Sequence, residues 1–269
     1  MADAKQYVNK VDVMKDSFGW EVPVELVPIP SKGAIYDPES SLYKKENIKI
    51  KAMTAKEEDI LSSAALIKEG TVLDYLIDSC VMEDIDTKQM ISGDRNALMI
   101  AIRITGYGPD YPVVAYCPKC SHDNKITIDL TSIPIKRLEI QPEQDGKNLF
   151  KFVLPVTKKT IYFKFPTLLD DRNRSIKDKN LNKHIQSIMS KNVTGNLEVA
   201  IQQIEDVTDR NKIKHFIMNM PAYDSRALRR YIGKNEPGMD MMWNYTCEKC
   251  GAENKSSIPI TSEFFWPST

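Results

Sequence analysis

The sequence predicts an α+β fold, with an N-terminal helical cluster, a central antiparallel sheet built around a split four-cysteine ribbon, and a helical insertion between the two ribbon halves. Three observations predict it. Apolar residues recur at helical spacing from about residue 54 to 105, at strand spacing from 111 to 165, and at helical spacing again from 168 to 232. A short cysteine motif occurs twice, at Cys117/Cys120 and Cys247/Cys250, each time between stretches that read as strands. The chain has 269 residues, 42% of them hydrophobic, which is enough to bury a substantial core. The expected organisation is an extended arm over residues 1–30 and a helical region over 31–110. A sheet and ribbon region follows over 111–167 and 233–262, interrupted by the insertion at 168–232, and an aromatic tail closes the chain over 263–269.

Residues 21–30, EVPVELVPIP, alternate apolar and polar side chains but carry three prolines. Proline cannot donate to a ladder, so this segment is expected as an edge strand or an extended arm. Residues 47–51, NIKIK, read as a short strand. Thr54 and Glu57 have capping-box spacing, and Glu57, Glu58 and Asp59 favour the positive end of a helix dipole. One helix is therefore expected from Thr54, with Ile60, Leu61, Ala64, Ala65 and Ile67 on its apolar face and Gly70 just past its end. A second is expected over 71–81 and a third, apolar on most sides and hence buried, over 94–105, stopping at Gly106.

Beyond residue 110 the expected strands are 111–116, 125–130, 136–141, 150–154 and 159–165, with Asp145-Gly146 as a hairpin signal between two of them. Helices are expected near 180–190, 196–207, 209–219 and 224–232, and strands again over 240–247 and 255–260.

Cys117-Pro118-Lys119-Cys120 and Cys247-Glu248-Lys249-Cys250 are each followed, after two residues, by an acid and then Asn-Lys. An aromatic, Tyr116 or Tyr245, precedes each on its strand. This is one motif written twice. Two CxxC knuckles supply four thiolates, the donor set of a closed, tetrahedral structural zinc site, and Gly251 suits the turn after the second cysteine. Cys117, Cys120, Cys247 and Cys250 are thus expected to share one structural Zn2+, with His122 a neighbour rather than a ligand. The 126 residues between Cys120 and Cys247 must loop out and return. Loop-closure entropy grows only logarithmically with length, whereas a structural zinc site is worth about 10–16 kcal/mol in isolated finger peptides.

Enzyme signatures are missing from the sequence: there is no GxGxxG, no Walker loop and no HExxH. Cys80 falls on the apolar side of its helix and reads as a buried thiol. His184 and His215 lie in polar helical contexts, and the carboxylates at Asp170-Asp171 and Glu57–Asp59 read as helix-start residues. The 37 basic residues balance the 37 acidic ones, which argues against general binding to nucleic acid. There is no run of about 18 apolar residues to span a membrane and no apolar stretch in residues 1–10 resembling a secretory signal, so a reducing cytoplasm is the expected compartment. Phe264, Phe265 and Trp266 place three aromatics near the end of the chain, where they must either fold back or insert into a partner; they are the residues expected to bind one.

Several segments together resemble the T-even-type phage baseplate protein family of hub subunits and hub-assembly proteins. They are Pro30-Ser31-Lys32-Gly33-Ala34-Ile35-Tyr36, residues 53–61, Gly93-Asp94 through Ile104, Gly106-Tyr107-Gly108 with Tyr111, the paired knuckles, and Phe264-Phe265-Trp266-Pro267. The resemblance implies a non-enzymatic structural or assembly role in a contractile phage tail, with other baseplate and hub proteins as partners. It places the chain in the host cytoplasm during assembly, either as a scaffold used only there or as a part that stays in the tail baseplate of the virion. The alternative is a zinc-ribbon nucleic-acid-binding protein using Lys119, Lys125, Lys249 and Lys255.

Overall fold

The structure, a computed structural model, describes residues 9–15, 19, 21–170, 193–258, 260 and 262–266. It is α+β, as predicted, but its strands are distributed among several small antiparallel sheets rather than gathered into one. The first holds β1 (Asn9–Lys15), β2 (Glu21–Pro28) and β3 (Asn47–Lys51) in that order. The segment expected as an edge or arm is therefore the central strand. Its prolines are tolerated because neither removes a donor from a ladder. Pro23 faces β3 one residue beyond the last pair, Val24 with Lys51, and its carbonyl still accepts from Ala52 N at 3.0 Å. Pro28 faces the β1 side beyond Leu26, the last paired residue described there.

The helical cluster follows. The helix expected from Thr54 to Gly70 is two, α1 (Ala55–Ser62) and α2 (Ala64–Glu69), separated by Ser63 in extended conformation. The Ser62 hydroxyl donates to the Asp59 carbonyl, the kind of local bond that competes with the helical ladder. Helix α3 (Val72–Cys80) buries Leu76, Ile77 and Cys80, as its periodicity predicts. Helix α4 (Ser92–Tyr107) begins two residues before Asp94 and runs through Gly106 to end at Gly108. Its residues from Ala97 to Ile102 are all buried, and it packs on β2, β3 and α3.

Two buried carboxylates organise this region. Glu57 completes the capping box expected with Thr54 and extends it into a four-donor site: Thr54 N and Oγ1 donate at 2.8 and 2.6 Å, Ser79 Oγ at 2.6 Å and Lys51 Nζ at 2.7 Å. Burial raises its pKa, but these donors outweigh burial and hold it near 2. Asp94 accepts from Ser31 N (2.8 Å), Ser31 Oγ (2.5 Å) and Tyr36 Oη (2.6 Å), while Tyr36 Oη accepts from Ile91 N. One side chain thereby fixes the Ser31–Tyr36 turn to the start of α4. Gly93 beside it lies so close to Pro237 that a Cβ there would sit 1.9 Å from the Pro237 carbonyl oxygen.

The ribbon strands are β4 (Asp110–Tyr116), β5 (Asp123–Asp129), β11 (Met242–Thr246) and β12 (Glu253–Ser257), forming two hairpins. Between them, residues 136–141 are not the predicted strand. Only β6 (Ile135–Lys136) is extended, paired with β10 (Gly238–Met239). Asp145-Gly146 is a turn but not a hairpin; Asp145 accepts from Tyr43 Oη and Lys44 Nζ and holds its loop near Pro38. Strands β7 (Phe150–Val153) and β8 (Thr160–Phe163), expected as strands, pair with each other as a hairpin, and β9 (Ile201–Ile204) joins it.

Strand β9 corrects the helix expected over 196–207, which holds only as α5 (Val193–Ala200). The insertion is accordingly mixed rather than wholly helical. Helices α6 (Arg210–Asn219) and α7 (Ala222–Asn235) complete it, with Asp224 accepting from Val156 N, Thr157 N and Thr157 Oγ1 to clamp α7 onto the turn after β7. The helix expected over 180–190, with His184, lies outside the described residues. Among the described residues no helix is long and apolar enough to cross a membrane.

The aromatic tail folds back on its own chain. Phe264 and Phe265 are 0% exposed, so these two side chains belong to the core and present no surface to a partner; Trp266, at 40%, remains accessible. Phe264 packs on Tyr111, ring centroids 5.0 Å apart, and its carbonyl accepts from Arg103 Nε at 3.1 Å. Arg103 is 1% exposed and meets carbonyls of Phe264, Gly108 and Asp110. Those oxygens satisfy the buried guanidinium, and the tail that carries one of them is held in place by it.

Because Glu57 titrates well below an ordinary carboxylate, its stabilisation is complete above about pH 4.5 and is lost as pH falls toward 2. Glu57→Gln is expected to cost at most about 3 kcal/mol at pH 7, with the difference from wild type shrinking by pH 3, as read from urea midpoints at both pH values. Phe264→Ala is expected to cost about 3–5 kcal/mol in the same assay at neutral pH, whereas Trp266→Ala changes the midpoint little.

Candidate metal centre

Each CxxC pair sits in the turn of its hairpin, and the two turns are built alike. In the first, Cys117 N donates to the His122 carbonyl and Ser121 N to the Cys117 carbonyl, both at 2.9 Å. In the second, Cys247 N donates to Ala252 and Gly251 N to Cys247, both at 2.9 Å. The residue after the second cysteine is left-handed in both, at φ 58 for Ser121 and φ 68 for Gly251. Glycine takes that conformation without cost; in the other knuckle Ser121 holds it while receiving a hydrogen bond from Tyr116 Oη at 2.7 Å.

The strand registers match as well. Ala115 pairs with Asn124 as Tyr245 pairs with Asn254, and Tyr116 with Asp123 as Thr246 with Glu253. Tyr116 and Tyr245 are therefore one residue out of step and face opposite sides of their strands: Tyr116 is exposed and Tyr245 buried. The two tyrosines preceding the knuckles are therefore not equivalent.

The knuckles face one another. All four sulfurs lie within 4.8 Å of each other, with Cys117 Sγ 3.7 Å from Cys250 Sγ and Cys120 Sγ 3.6 Å from Cys247 Sγ. These separations are too long for disulfides, in which sulfurs lie about 2.05 Å apart. They match a tetrahedron of thiolates about 2.3 Å from a central ion, whose edges are about 3.8 Å. Cys117 and Cys247 are buried, Cys120 and Cys250 partly so. Further bonds cross between the halves: Glu248 N donates to Asn124 Oδ1 (2.9 Å), Tyr245 Oη to the Tyr116 carbonyl (2.8 Å), and Asn254 Nδ2 to Cys117 Sγ (3.7 Å). The repeated asparagines thus brace the sulfur cluster from outside, as partners of metal ligands commonly do.

Burial raises these thiols, but the N–H groups of Cys120 and Lys119 bring Cys117 below its ordinary value, and those of Cys250 and Lys249 bring Cys247 to about 6. Burial and the adjoining sulfurs push Cys120 up to about 12. Crowded sulfurs resist carrying four negative charges together, and a divalent cation at their centre relieves that resistance. The residues fit a metal ion and can hold one.

Among the described residues no second group of three or more His, Cys, Asp and Glu side chains is arranged for a metal. His122 offers its carbonyl to Cys117 rather than its ring to the cluster. Cys80 lies apart in the core, where burial and the Glu57 charge push its thiol up to about 12, an unreactive form. Asp170 accepts from Thr167 N, Thr167 Oγ1 and Lys164 Nζ and so closes its own turn. His215 lies beside Asn219 on the exposed side of α6.

Residues 34–266 of the chain match the model of a family described as T4 bacteriophage base plate protein. Neither a curated protein nor a solved structure matches the chain.

Cys247→Ser is expected to abolish metal binding, measured as metal per chain, and to lower the unfolding free energy from urea titration by several kcal/mol. Gly251→Ala is expected to keep the metal and cost about 1 kcal/mol, because its Cβ meets no atom within 4 Å and only the left-handed backbone is penalised. Chelation is expected to lower the melting temperature of wild type and Gly251→Ala, and to leave that of Cys247→Ser unchanged.

Proposed function

The chain belongs to the T4 bacteriophage base plate protein family, and from that premise we propose that it is a non-enzymatic structural or assembly component of the hub of a contractile-tail baseplate, braced by zinc and bound to other baseplate subunits. The observation that carries this reading is the reach of the family match, residues 34–266, which takes in the buried helix α4, both knuckles and the docked aromatic pair. The hub assignment rests on the order of the segments shared with hub and hub-assembly proteins.

Zinc is the ion that four thiolates in tetrahedral array suit best without redox chemistry; iron is the other ion such a set accepts. Four protein ligands leave no position for water or substrate, so the ion's part is to hold the hairpins together. Trp266 is the aromatic among the described tail residues left exposed for a neighbouring subunit. The work of such a component is done in the host cytoplasm while baseplates assemble, and in the tail itself if the chain stays in the particle.

Metal analysis of the purified chain is expected to give one zinc per chain and a colourless protein. Mass spectrometry of isolated baseplates and hub intermediates is expected to find the chain in at least one of them. A phage supplied only with Cys247→Ser is expected to accumulate incomplete hubs. A red, iron-containing protein would overturn the zinc assignment, and absence from every baseplate species would overturn the hub reading.

A further inference from the structure

Along one side of α7, Arg226, Arg230 and Lys234 recur every fourth residue, so the helix stacks them one turn apart, about 6 Å from each to the next. All three are exposed, and none takes part in an ion pair among the described residues. The acid on the same helix, Asp224, is turned inward to Val156 and Thr157 and neutralises none of them.

The cations border a groove of about 430 Å³ between α7 and β7. Its floor is apolar: Phe152 and Tyr231 pack with ring centroids 4.6 Å apart, and Ala227 leaves room for a close approach. Tyr223 stands at one end, 67% exposed.

We propose that this groove binds an acidic amphipathic helix of another protein, with carboxylates one turn apart on the side that meets α7 and small apolar residues against the floor. A helix laid along α7 repeats at the same 6 Å interval as the cations, so three charge pairs form in one register. Single-stranded nucleic acid fits less well. It wants successive open aromatic faces, whereas Tyr231 is packed against Phe152 and meets Phe163 at 90°, leaving Tyr223 alone. A second copy of this chain does not supply the ligand either, because no helix among the described residues carries acids at three successive fourth positions. The proposal takes the hub reading as the source of its partner, a neighbouring baseplate subunit.

The test uses the full-length, metal-loaded chain and a fluorescent synthetic helix with Glu at three successive fourth positions and Ala and Leu on the floor-facing side. Anisotropy is expected to show saturable binding that weakens steeply as salt rises from about 50 to about 500 mM. The double variant Arg226→Glu, Arg230→Glu is expected to lose at least about tenfold in affinity while keeping its metal content and circular dichroism, and to bind the corresponding Lys peptide in exchange. No saturable binding, equal binding by the double variant, equal binding of a peptide with scrambled Glu spacing, or tighter binding of oligo-dT would each overturn it. In infected cells, baseplates that take up wild type and the double variant equally would overturn the groove assignment and leave the hub reading standing. Wild type absent from all baseplate species would overturn the hub reading instead.

Discussion

Four sulfur atoms meet from two turns that lie far apart along the backbone. Each ribbon hairpin has two strands, and a two-stranded hairpin is barely stable in water. Brought face to face, the two hairpins gain the sulfur cluster, the Asn124–Glu248 bond and the Tyr245–Tyr116 bond. The junction also sets where the intervening segment begins and ends. Strand β6 pairs with β10 just outside the ribbon, so the departing and returning chains meet a second time. A divalent ion at the cluster would therefore act on long-range topology, although its direct contacts would reach only four side chains.

The helical half is fixed by fewer but more deeply buried polar groups. Asp94 gathers three donors from the Ser31–Tyr36 segment, and Gly93 lets the Pro237 backbone approach α4 more closely than any side chain would permit. Arg103, about two and a half turns further along the same helix, captures the carbonyl of Phe264. One helix thus ties down the N-terminal turn, the chain beyond α7 and the aromatic tail. The residues that make these ties, Ser31, Tyr36, Gly93, Asp94, Arg103 and Phe264, all fall in the segments by which the sequence resembles baseplate proteins.

What could be read from the sequence was local chemistry. The cysteine pairs and their Asn-Lys echoes are legible because a tetrahedral thiolate site constrains residues within one turn. The apolar stripes of α3 and α4 are legible for a similar reason. Longer-range facts were not. The prolines of β2 are harmless because its partners end where they do, which only the assembled sheet reveals. Ile201 and Ile204 stand three residues apart, a helical interval, yet both are buried in a strand because the β8–β9 pairing shifts register between them. Tyr116 and Tyr245 stand one residue out of step before their knuckles, and the strand register turns that offset into opposite faces. Phe264 and Phe265 announced that they would be buried, but not in which protein.

The closed loop between the knuckles bears on how this chain breaks. A single backbone cut between Cys120 and Cys247 leaves one cysteine pair on each fragment, and an ion held by all four sulfurs would tie the pieces together. A cut before Cys117 or after Cys250 leaves all four cysteines on one side, and nothing in the cluster retains the other fragment. With an ion at the cluster, a cut inside the loop between β6 and β10 would leave the two fragments tied through their sulfurs as well as through the β6–β10 pairing.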